Sequence, residues 1–593
     1  SIGENAFYNC SELASITVDS DNPNFSSQDG ILYNKAQTKF LHIPRALSGA
    51  VTIPQSITSI GNRAFYGRNN LTSLTLSDSI ESVGHEAFLN CDNLQYNEYG
   101  NGCYLGNSGN PYVVLVKAKN TNIKSCTVNG GAKVVYENAL SGCNGLTTIS
   151  LPFVGANKNG TGDTHFGYIF GASRYDDNKS NVPASLKTVI ITGGTRIAAY
   201  AFYGCSNLTD VSIPQSVTSI GGRAFEGCFG LKSITVDSGN TKYLSSGNCL
   251  IERETKTLIS GCNSSVIPAN GSVTRIEARA FAYCGGLTNI TIPDSVTSIG
   301  YSAFKDCDAL SEMSVPFVGA NKDGTGDRYF GYIFGASKYS GNGSCVPHSL
   351  KTLIITGGTS IATNAFYQCS QLEKIMISDS ITSIEFGAFF YCDGLKSITV
   401  DSGNTKYLSS GNCLIDRETK TLILGCKSSV IPANGSVTRI EESAFEHCSG
   451  LTSITVPDSV TSIGRYAFKD CDALSEISVP FVGAKRDNTD FLSEHFGYIF
   501  GARRYDDNKS NVPASLKTVI ITGGTLIAAY AFWGCRSLTS IIIPSSVTDI
   551  GGGAFYSCSA LTIYCEAQSK PSGWANNWND SNCPVVWDYK NNQ

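Results

Sequence analysis

Charged residues, histidines and long apolar runs are all scarce in this chain of 593 residues. Only 16% of the residues are charged, and the formal net charge is −5. Nucleic-acid binding depends on clustered lysine and arginine side chains that neutralise phosphates, and no such cluster is present, so we expect no nucleic-acid partner. No run of roughly 18 apolar residues occurs either, so we expect no membrane insertion of this segment.

The common sequence signatures of catalysis and metal binding are absent as well. The six histidines are His42, His85, His165, His348, His447 and His495. None stands at metal-ligand spacing, and no Cys-x-x-Cys pair, nucleophile elbow or phosphate loop occurs. An enzyme needs a unique set of reactive groups in one place. The sequence therefore predicts a non-enzymatic protein without a metal or cofactor.

The chain instead repeats a phrase of 23 residues. One clean copy begins at Ile276, continues through Phe281, Cys284 and Leu287, and restarts at Ile299. Its anchor residue follows an alanine and occurs fourteen times, at Phe7, Phe65, Phe88, Leu140, Phe202, Phe225, Phe281, Phe304, Phe366, Phe389, Phe445, Phe468, Phe532 and Phe555. Leucine follows six residues after every anchor. A fixed period of this length predicts a solenoid, because one unit cannot bury its apolar face without stacked neighbours.

The 22 cysteines follow the same phrase. Thirteen stand three residues after an anchor, at Cys10, Cys91, Cys143, Cys205, Cys228, Cys284, Cys307, Cys369, Cys392, Cys448, Cys471, Cys535 and Cys558. Arg68 takes this position in the remaining copy. Free cysteine packs as a small hydrophobe, so we expect a buried ladder of thiols. Cys565 and Cys583 lie outside the ladder, and the sequence leaves open whether they form a disulfide.

Two inserts interrupt the phrase. Insert one, residues 236–259, recurs at 400–423 and loosely at 18–41, and its alternating apolar residues around a polar tip at Glu252 predict a β-hairpin. Insert two begins at Pro152 and returns at Pro316 and Pro480. We expect each insert to add one coil and a protruding loop.

The inserts define a larger unit of about 164 residues. We expect super-repeats at 151–314 and 315–478, a partial one at 479–560, and a divergent relative at 1–150. Residues 561–593 are predicted to form a cap, in which Trp574, Trp578 and Trp587 cover the last coil; a tryptophan-lined ligand site is the alternative. Ser1 matches Ser298 within a phrase, so we expect the natural N-terminus to lie upstream.

Each phrase contains one clear strand pattern. Residues 231–236 have apolar side chains at their first, fourth and sixth positions and are rich in β-branched residues, which favours a short strand in a parallel stack. Residues 301–307 fit a single helical or 3₁₀ turn. The predicted fold is an α/β or mainly β solenoid, a right-handed elongated or curved rod of short parallel strands.

The phrase Leu-x-x-Ile-x-Ile-Pro-x-Ser-Val-x-x-Ile-Gly-x-x-Ala-Phe-x-x-Cys resembles the Treponema pallidum-type leucine-rich repeat of BspA-like bacterial surface proteins. The resemblance implies an extracellular, adhesin-like protein, cell-surface or secreted, and monomeric. Its implied partners are a host extracellular matrix protein, another cell-surface protein or a glycan. A structural spacer that displays another domain is the alternative.

Outward positions of the strands are the main candidates for binding. Most carry threonine or serine, and the larger exceptions are Asp210, Lys232, Asn289, Glu312, Glu373, Lys374, Lys396 and Glu476. They form either a solvated face or a broad recognition surface. In insert two, Tyr168, Phe170 and Tyr175 are either binding anchors or core packing.

Insert two also contains polar groups at positions that could bind a ligand or pack the loop. Asn157, Asn159, Thr161 and Asp163 have the oxygen spacing of a calcium loop, but no bidentate glutamate closes it, so a polar turn is the alternative. The copy at 321–327 repeats this pattern, and the copy at 485–490 departs from it. His165 and His495 match, whereas the middle copy has tyrosine there, which favours a role in loop packing.

Overall fold

A computed structural model of the chain describes residues 1–3, 6, 7, 10, 12–486 and 492–590. It divides into two compact units, Ser1–Leu287 with Ala303–Cys307, and Thr288–Ser302 with Asp308–Gln593. The solenoid of short parallel strands is confirmed, with about 24 turns and little helix. No helix among the described residues has both the length and the apolar composition needed to cross a bilayer.

The strands are short and follow the phrase. Those of the first unit are Phe25–Gln28, Ile31–Asn34, Lys39–His42, Gly49–Thr52, Ser59–Ile60, Leu71–Thr75, Ser82–Val83, Asn97–Tyr99, Gly102–Leu105, Val114–Ala118, Ser125–Thr127, Val134–Val135, Thr148–Leu151, Thr188–Ile191, Arg196–Ile197, Asp210–Ile213, Ser219–Ile220, Ser233–Val236, Tyr243–Ser246, Cys249–Glu252, Thr257–Ser260 and Arg275–Ile276. Those of the second unit are Asn289–Thr291, Ser298–Ile299, Glu312–Val315, Thr352–Ile355, Ser360–Ile361, Lys374–Ile377, Ser383–Ile384, Ser397–Val400, Tyr407–Ser410, Cys413–Asp416, Thr421–Leu424, Arg439–Ile440, Ser453–Thr455, Ser462–Ile463, Glu476–Val479, Thr518–Ile521, Leu526–Ile527, Ser540–Ile543, Asp549–Ile550, Thr562–Cys565, Gly573–Trp574 and Val585–Val586.

Successive phrases pair in register, so equivalent residues stand side by side. In the second unit, Glu312 pairs with Thr352, Thr352 with Lys374, and Lys374 with Ser397, all in parallel strands. The residue that follows each of these points inward, as Ile375 does after Lys374, with 1% of its surface exposed. Because strand side chains alternate between faces, one row of each sheet is core and the next is surface.

The corner around each anchor is a set of turns and not the helical turn expected at residues 301–307. At the anchor Phe366, residues two before and two after, Asn364 and Gln368, have φ of 57° and 59°. A right-handed helix cannot pass through left-handed residues. The backbone N–H of Phe366 instead donates to the carbonyl of Ala388 in the next coil, at 2.8 Å. The phenylalanines then stack, with 5.2 Å between the ring centroids of Phe366 and Phe389.

Insert one contains the expected hairpin and one strand more. Cys413–Asp416 pairs antiparallel with Thr421–Leu424, and Tyr407–Ser410 adds a third antiparallel strand on the other side. Asn404, 2% exposed, ties this meander to the preceding coil. Its Nδ2 donates to the carbonyls of Ser378 and Ile381, both at 2.9 Å.

Insert two holds all the helices of the described chain. They are the 3₁₀ helices Phe166–Phe170, Tyr175–Asp177, Phe330–Phe334, Tyr339–Gly341, Phe496–Phe500 and Tyr505–Asp507, and the α-helices Asn178–Asn181, Asn342–Cys345 and Asn508–Asn511. Asn342 is fully buried, and its Oδ1 accepts from the N–H of Gly331 while its Nδ2 donates to the carbonyl of Ala365. A buried amide with both ends satisfied fixes the insert to the next coil.

The thiol ladder is confirmed, with one exception at Cys10, which is exposed. Alternate thiols donate to the carbonyl of the anchor one coil earlier, as Cys392 does to Phe366 at 3.2 Å. Burial raises the pKa of the Cys558 thiol to about 12. Where Arg68 replaces cysteine, its guanidinium donates to the carbonyl of Ile43.

Cys565 and Cys583 are separate free thiols. They lie on neighbouring parallel segments, where Ile563 pairs with Val585. That register offsets the two cysteines by four residues, roughly 13 Å at strand spacing, which exceeds the reach of a disulfide.

The C-terminal tryptophans lie against the last coil. Trp574 and Trp578 are 3% and 6% exposed. The Trp578 ring meets the anchor Phe555 edge-on, with 5.8 Å between centroids, and Trp587 packs beside both indoles. The indoles Trp574 and Trp578 therefore offer little surface to a ligand.

Candidate functional site

Five of the eight candidate strand-face residues lie on or directly beside one sheet of the second unit. Asn289 and Glu312 pair across neighbouring strands, and Lys374 stands two strands further along in the same register. Glu373 and Lys396 directly precede the strands Lys374–Ile377 and Ser397–Val400. The parallel register therefore assembles one charged patch from residues far apart in sequence.

Two members of this patch form an ion pair. Lys396 Nζ lies 2.6 Å from Glu373 Oε2, and both side chains are substantially exposed. The hydrogen bond from Lys396 lowers the pKa of the Glu373 carboxyl, because it favours the charged form. An exposed pair of this kind adds little stability, so its role is to shape the surface.

The other three candidates lie elsewhere. Asp210 is half-buried, and its carboxylate accepts a hydrogen bond from Thr209 Oγ1 at 2.7 Å. Lys232 is exposed just before the strand Ser233–Val236 of the first unit. Glu476 is half-buried and pairs with Ser453 in a different sheet of the second unit. They do not belong to the charged patch.

The aromatic residues of insert two divide between core and surface. Phe170 is 4% exposed and Tyr168 is half-buried, so the core-packing interpretation holds for these two. Tyr175 is 39% exposed, but one ring face stacks on Tyr200 with 4.6 Å between centroids.

The polar groups of insert two serve its own loop. His165 Nε2 lies 3.0 Å from the carbonyl of Ala172, and Tyr329 donates to the equivalent carbonyl of Ala336 at 3.2 Å. The exchange of histidine for tyrosine thus keeps one packing contact. Asn157 hydrogen-bonds twice to Thr161, the pattern of a polar turn. Most of the divergent third loop, residues 487–491, lies outside the described residues.

One group could hold a metal among the residues that the structure describes. The ligand atoms of Glu446, His447 and Asp470 lie within 4.8 Å of one another. However, Lys469 Nζ is 2.8 Å from Glu446 and 3.2 Å from Asp470. The lysine already pairs with both carboxylates that a cation would need.

The second unit contains a cleft of about 530 Å³ that no motif or repeat position in the sequence predicts. We call it the acidic cleft and define it by Phe386, Phe390, Glu441, Glu442, Ser443 and Glu446, which line it. Its walls are a coil corner at residues 384–390 and the stretch that runs from insert one through residue 446. Phe386 is 54% exposed at the rim and meets Phe390 edge-on, with 5.2 Å between centroids.

The equivalent place in the first super-repeat is closed, with a cavity of only about 20 Å³. Arg223 and Arg279 fill it, and the Arg279 Nη1 atom lies 2.6 Å from the Glu226 carboxylate, whose side chain is 3% exposed. In the second super-repeat these three residues become Gly387, Ser443 and Phe390. Loss of the two arginines opens the acidic cleft.

The same exchanges change the charge. The lining positions carry three arginines and three glutamates in the first super-repeat, and one arginine with five carboxylates in the second, so the formal charge changes from 0 to −4. New carboxylates come from Gly221, Ala278 and Ala282, which become Glu385, Glu442 and Glu446. A cleft lined by one sign of charge concentrates ligands of the other sign.

A comparison of the two copies could have revealed this site from sequence. Residues 231–300 and 395–464 differ at ten of 70 positions, and five of these ten line the acidic cleft. Substitutions scattered by chance would not gather at one cavity.

Comparisons with known proteins agree with the repeat. The family model described as BspA type leucine rich repeat region (6 copies) matches residues 1–49, 46–108, 181–250, 255–323, 347–414, 420–492 and 511–571, well over half of the chain. No curated protein was found to match.

Solved structures of repeat proteins are also similar to this chain. A leucine rich cell surface protein from Faecalibacterium prausnitzii is 26% identical over 65% of this chain and 96% of its own, with a TM-score of 0.32. The pneumococcal vaccine antigen PcpA is 13% identical over 86% and 95%, with a TM-score of 0.27. The leucine rich repeat protein of T. pallidum is 17% identical over 50% and 91%, with a TM-score of 0.14.

Proposed function

Because the chain belongs to the BspA-type leucine-rich repeat family, we propose that it is a non-enzymatic binding protein, displayed on a cell surface or secreted. It acts like an adhesin, as a monomer in the extracellular space. Its partner is a host extracellular matrix protein, another cell-surface protein or a glycan.

One observation carries this proposal: equivalent strand positions keep their core residue and change their surface residue. The same register position holds Asp210, Lys374 and Ser540 in three successive copies. The inward residue that follows is a buried valine or isoleucine each time. Complementary charge provides specificity at an interface. A strand face whose charge reverses between copies is therefore better suited to recognition than a face that has the same residue in every copy.

Binding of the full chain to arrays of matrix proteins, cell-surface proteins and glycans tests the proposal. The informative variant is Lys374→Glu/Lys396→Glu, which reverses two charges of the charged patch. We expect it to weaken binding to the identified partner by at least tenfold. Lys570→Glu/Lys590→Glu makes the same change of charge outside this sheet, near the C-terminus, and should leave affinity within about twofold.

A structural spacer is the second candidate, and near-identical super-repeats favour it, because a rigid scaffold can be lengthened by repetition. The same array separates the two functions. A spacer binds none of the panel, or binds with an affinity that both double variants leave unchanged.

A further inference from the structure

We propose that the acidic cleft binds the guanidinium side chain of an arginine presented by a protein partner. The inference deepens the proposed function, on which it rests for one point only, namely that the arginine belongs to another protein. The cleft has no open equivalent in the first super-repeat, so the site distinguishes the second super-repeat from the first and is not a general property of the repeat.

The size and lining of the cleft suit a planar cation. About 530 Å³ lies within the range of small-ligand clefts. The coil corner contributes the aromatic rings of Phe386 and Phe390 to the lining, and the segment after insert one contributes the carboxylates of Glu441 and Glu442. Guanidinium stacks on aromatic rings and pairs with carboxylates in two-point hydrogen bonds, whereas ammonium does neither as well.

The first super-repeat shows a guanidinium already held at this place. Arg279 lies between the coil corner and the segment after insert one, paired with Glu226 at 2.6 Å. Arg223 adds a second guanidinium, and its Nη1 donates to Tyr200 Oη at 3.0 Å. The scaffold therefore accepts arginine side chains here, and the second super-repeat has the same walls without counterparts of Arg223 and Arg279.

Carboxylates without a cation partner remain in the acidic cleft. Glu385, Asp416 and Glu446 are paired with Arg328, Lys406 and Lys469 at 2.7, 3.1 and 2.8 Å. Glu441 and Glu442 make no ion pair within the described part of the chain. These two provide the charge that an incoming cation would meet, while a neutral sugar could only donate hydrogen bonds to them and form no charge pair.

The rim indicates that the cation arrives on a larger molecule. Phe386 presents 54% of its surface to solvent beside the opening. Exposed aromatic residues next to a charged cleft are common anchors of protein interfaces. An arginine on a protruding loop could enter the cleft while its backbone rests on Phe386.

Calorimetric titration of the full chain with the peptide acetyl-Gly-Gly-Arg-Gly-Gly-amide tests the inference. We expect a dissociation constant on the order of 1 mM. The same peptide with citrulline, which keeps the shape of arginine without its charge, should bind at least tenfold more weakly. Rising salt should weaken binding of the arginine peptide, because its attraction is partly electrostatic.

The matched variant is Gly387→Arg/Phe390→Glu/Ser443→Arg, which restores the three residues of the first super-repeat. Gly387 has φ of 70° and Arg223 has φ of 60°, so the backbone already suits arginine there. We expect the closed cleft to lose at least tenfold in affinity. Glu441→Gln/Glu442→Gln removes charge without changing shape and should lose about fivefold, which keeps the test valid if the triple variant misfolds.

Four results would overturn the inference: no heat of binding at 20 mM peptide, equal binding of the citrulline peptide, variants that bind as the natural chain does, or a neutral glycan that occupies the cleft in place of the peptide. The ligand here is the peptide itself. A failed search for a natural partner therefore counts against the proposed function and leaves this measurement intact.

Discussion

Replacing Asn404 by alanine should loosen insert one of the second super-repeat more than any exposed substitution nearby. The side-chain amide donates to the carbonyls of Ser378 and Ile381, and its oxygen accepts from the N–H groups of Lys406 and Tyr407. These distances run from 2.7 to 2.9 Å, and the side chain is nearly inaccessible to water. Four backbone groups, in three buried hydrogen bonds and one partly buried one, therefore lose their partner together.

The expected cost follows from these four bonds. Each contributes a net ~1 kcal/mol to stability, so Asn404→Ala should lower the free energy of local unfolding by about 4 kcal/mol. At 1.36 kcal/mol for each factor of ten, this corresponds to a roughly thousandfold drop in hydrogen-exchange protection. The amides to follow are those of residues 407–416, which form the first two strands of the meander.

Asp401→Ala serves as the control. Its Oδ1 accepts one bond, from the N–H of Gly403 at 2.8 Å, in an exposed turn. We expect its loss to reduce protection by no more than about fivefold. If Asn404→Ala lowers protection by less than tenfold, the amide does not hold the insert to the coil, and our account of this junction is wrong.

Three further predictions concern other parts of the molecule. Under native conditions thiol reagents should modify Cys10 and Cys345 first, since all other cysteines are buried. Mass spectrometry of the unreduced chain should find no disulfide between Cys565 and Cys583, and a mass that shows this disulfide would contradict the register of the last strands. The pKa of His42 is lowered to about 4 by burial and by Arg68, whose Nη2 lies 3.1 Å from His42 Nε2. The folded chain therefore disfavours protonated His42. Because the unfolded chain binds this proton more readily, the stability of the first unit should fall as pH drops from about 6.5 to about 4. An NMR titration of His42 with a midpoint near 6.5 would refute this. Trp578→Ala should destabilise the C-terminal coils by about 3–5 kcal/mol, seen as earlier loss of tryptophan fluorescence in urea than in Trp533→Ala.

The repeat made the core predictable to a degree that ordinary sequences do not allow. Anchors such as Phe366 and ladder thiols such as Cys392 recur at fixed spacing, and their burial follows from stacking alone. The backbone conformation of the corners was harder to predict. Ala-Phe suggests helix by local propensity, but the left-handed Asn364 and Gln368 send the backbone N–H of Phe366 to the next coil. Whether this N–H bonds within its own coil or to the next one depends on tertiary stacking, which the pattern of a single phrase does not show.

The candidate sites show the same division. Lys374 could be assigned to a strand face, because the period of a strand fixes which side chains point outward, whereas Glu373 and Lys396 stand just before their strands. The acidic cleft depends on Gly387 and Ser443, which are 56 residues apart and meet only through stacking with insert one between them. Neither glycine nor serine suggests a binding site by itself. The cleft becomes predictable only when Gly387 and Ser443 are compared with their counterparts Arg223 and Arg279.

The near-identity of the super-repeats has a genetic consequence. Residues 230–251 and 394–415 are identical, so unequal crossing-over in the corresponding DNA could add or remove 164 residues and leave every coil junction intact. This segment lies between the two walls of the acidic cleft, one at residues 384–390 and the other at 416–446. A crossover inside it would join the corner that carries Arg223 to the wall that carries Ser443. Chain length can therefore drift by recombination, and the two products differ: the shortened chain loses the acidic cleft, whereas the lengthened chain keeps residues 384–446 intact and with them the cleft.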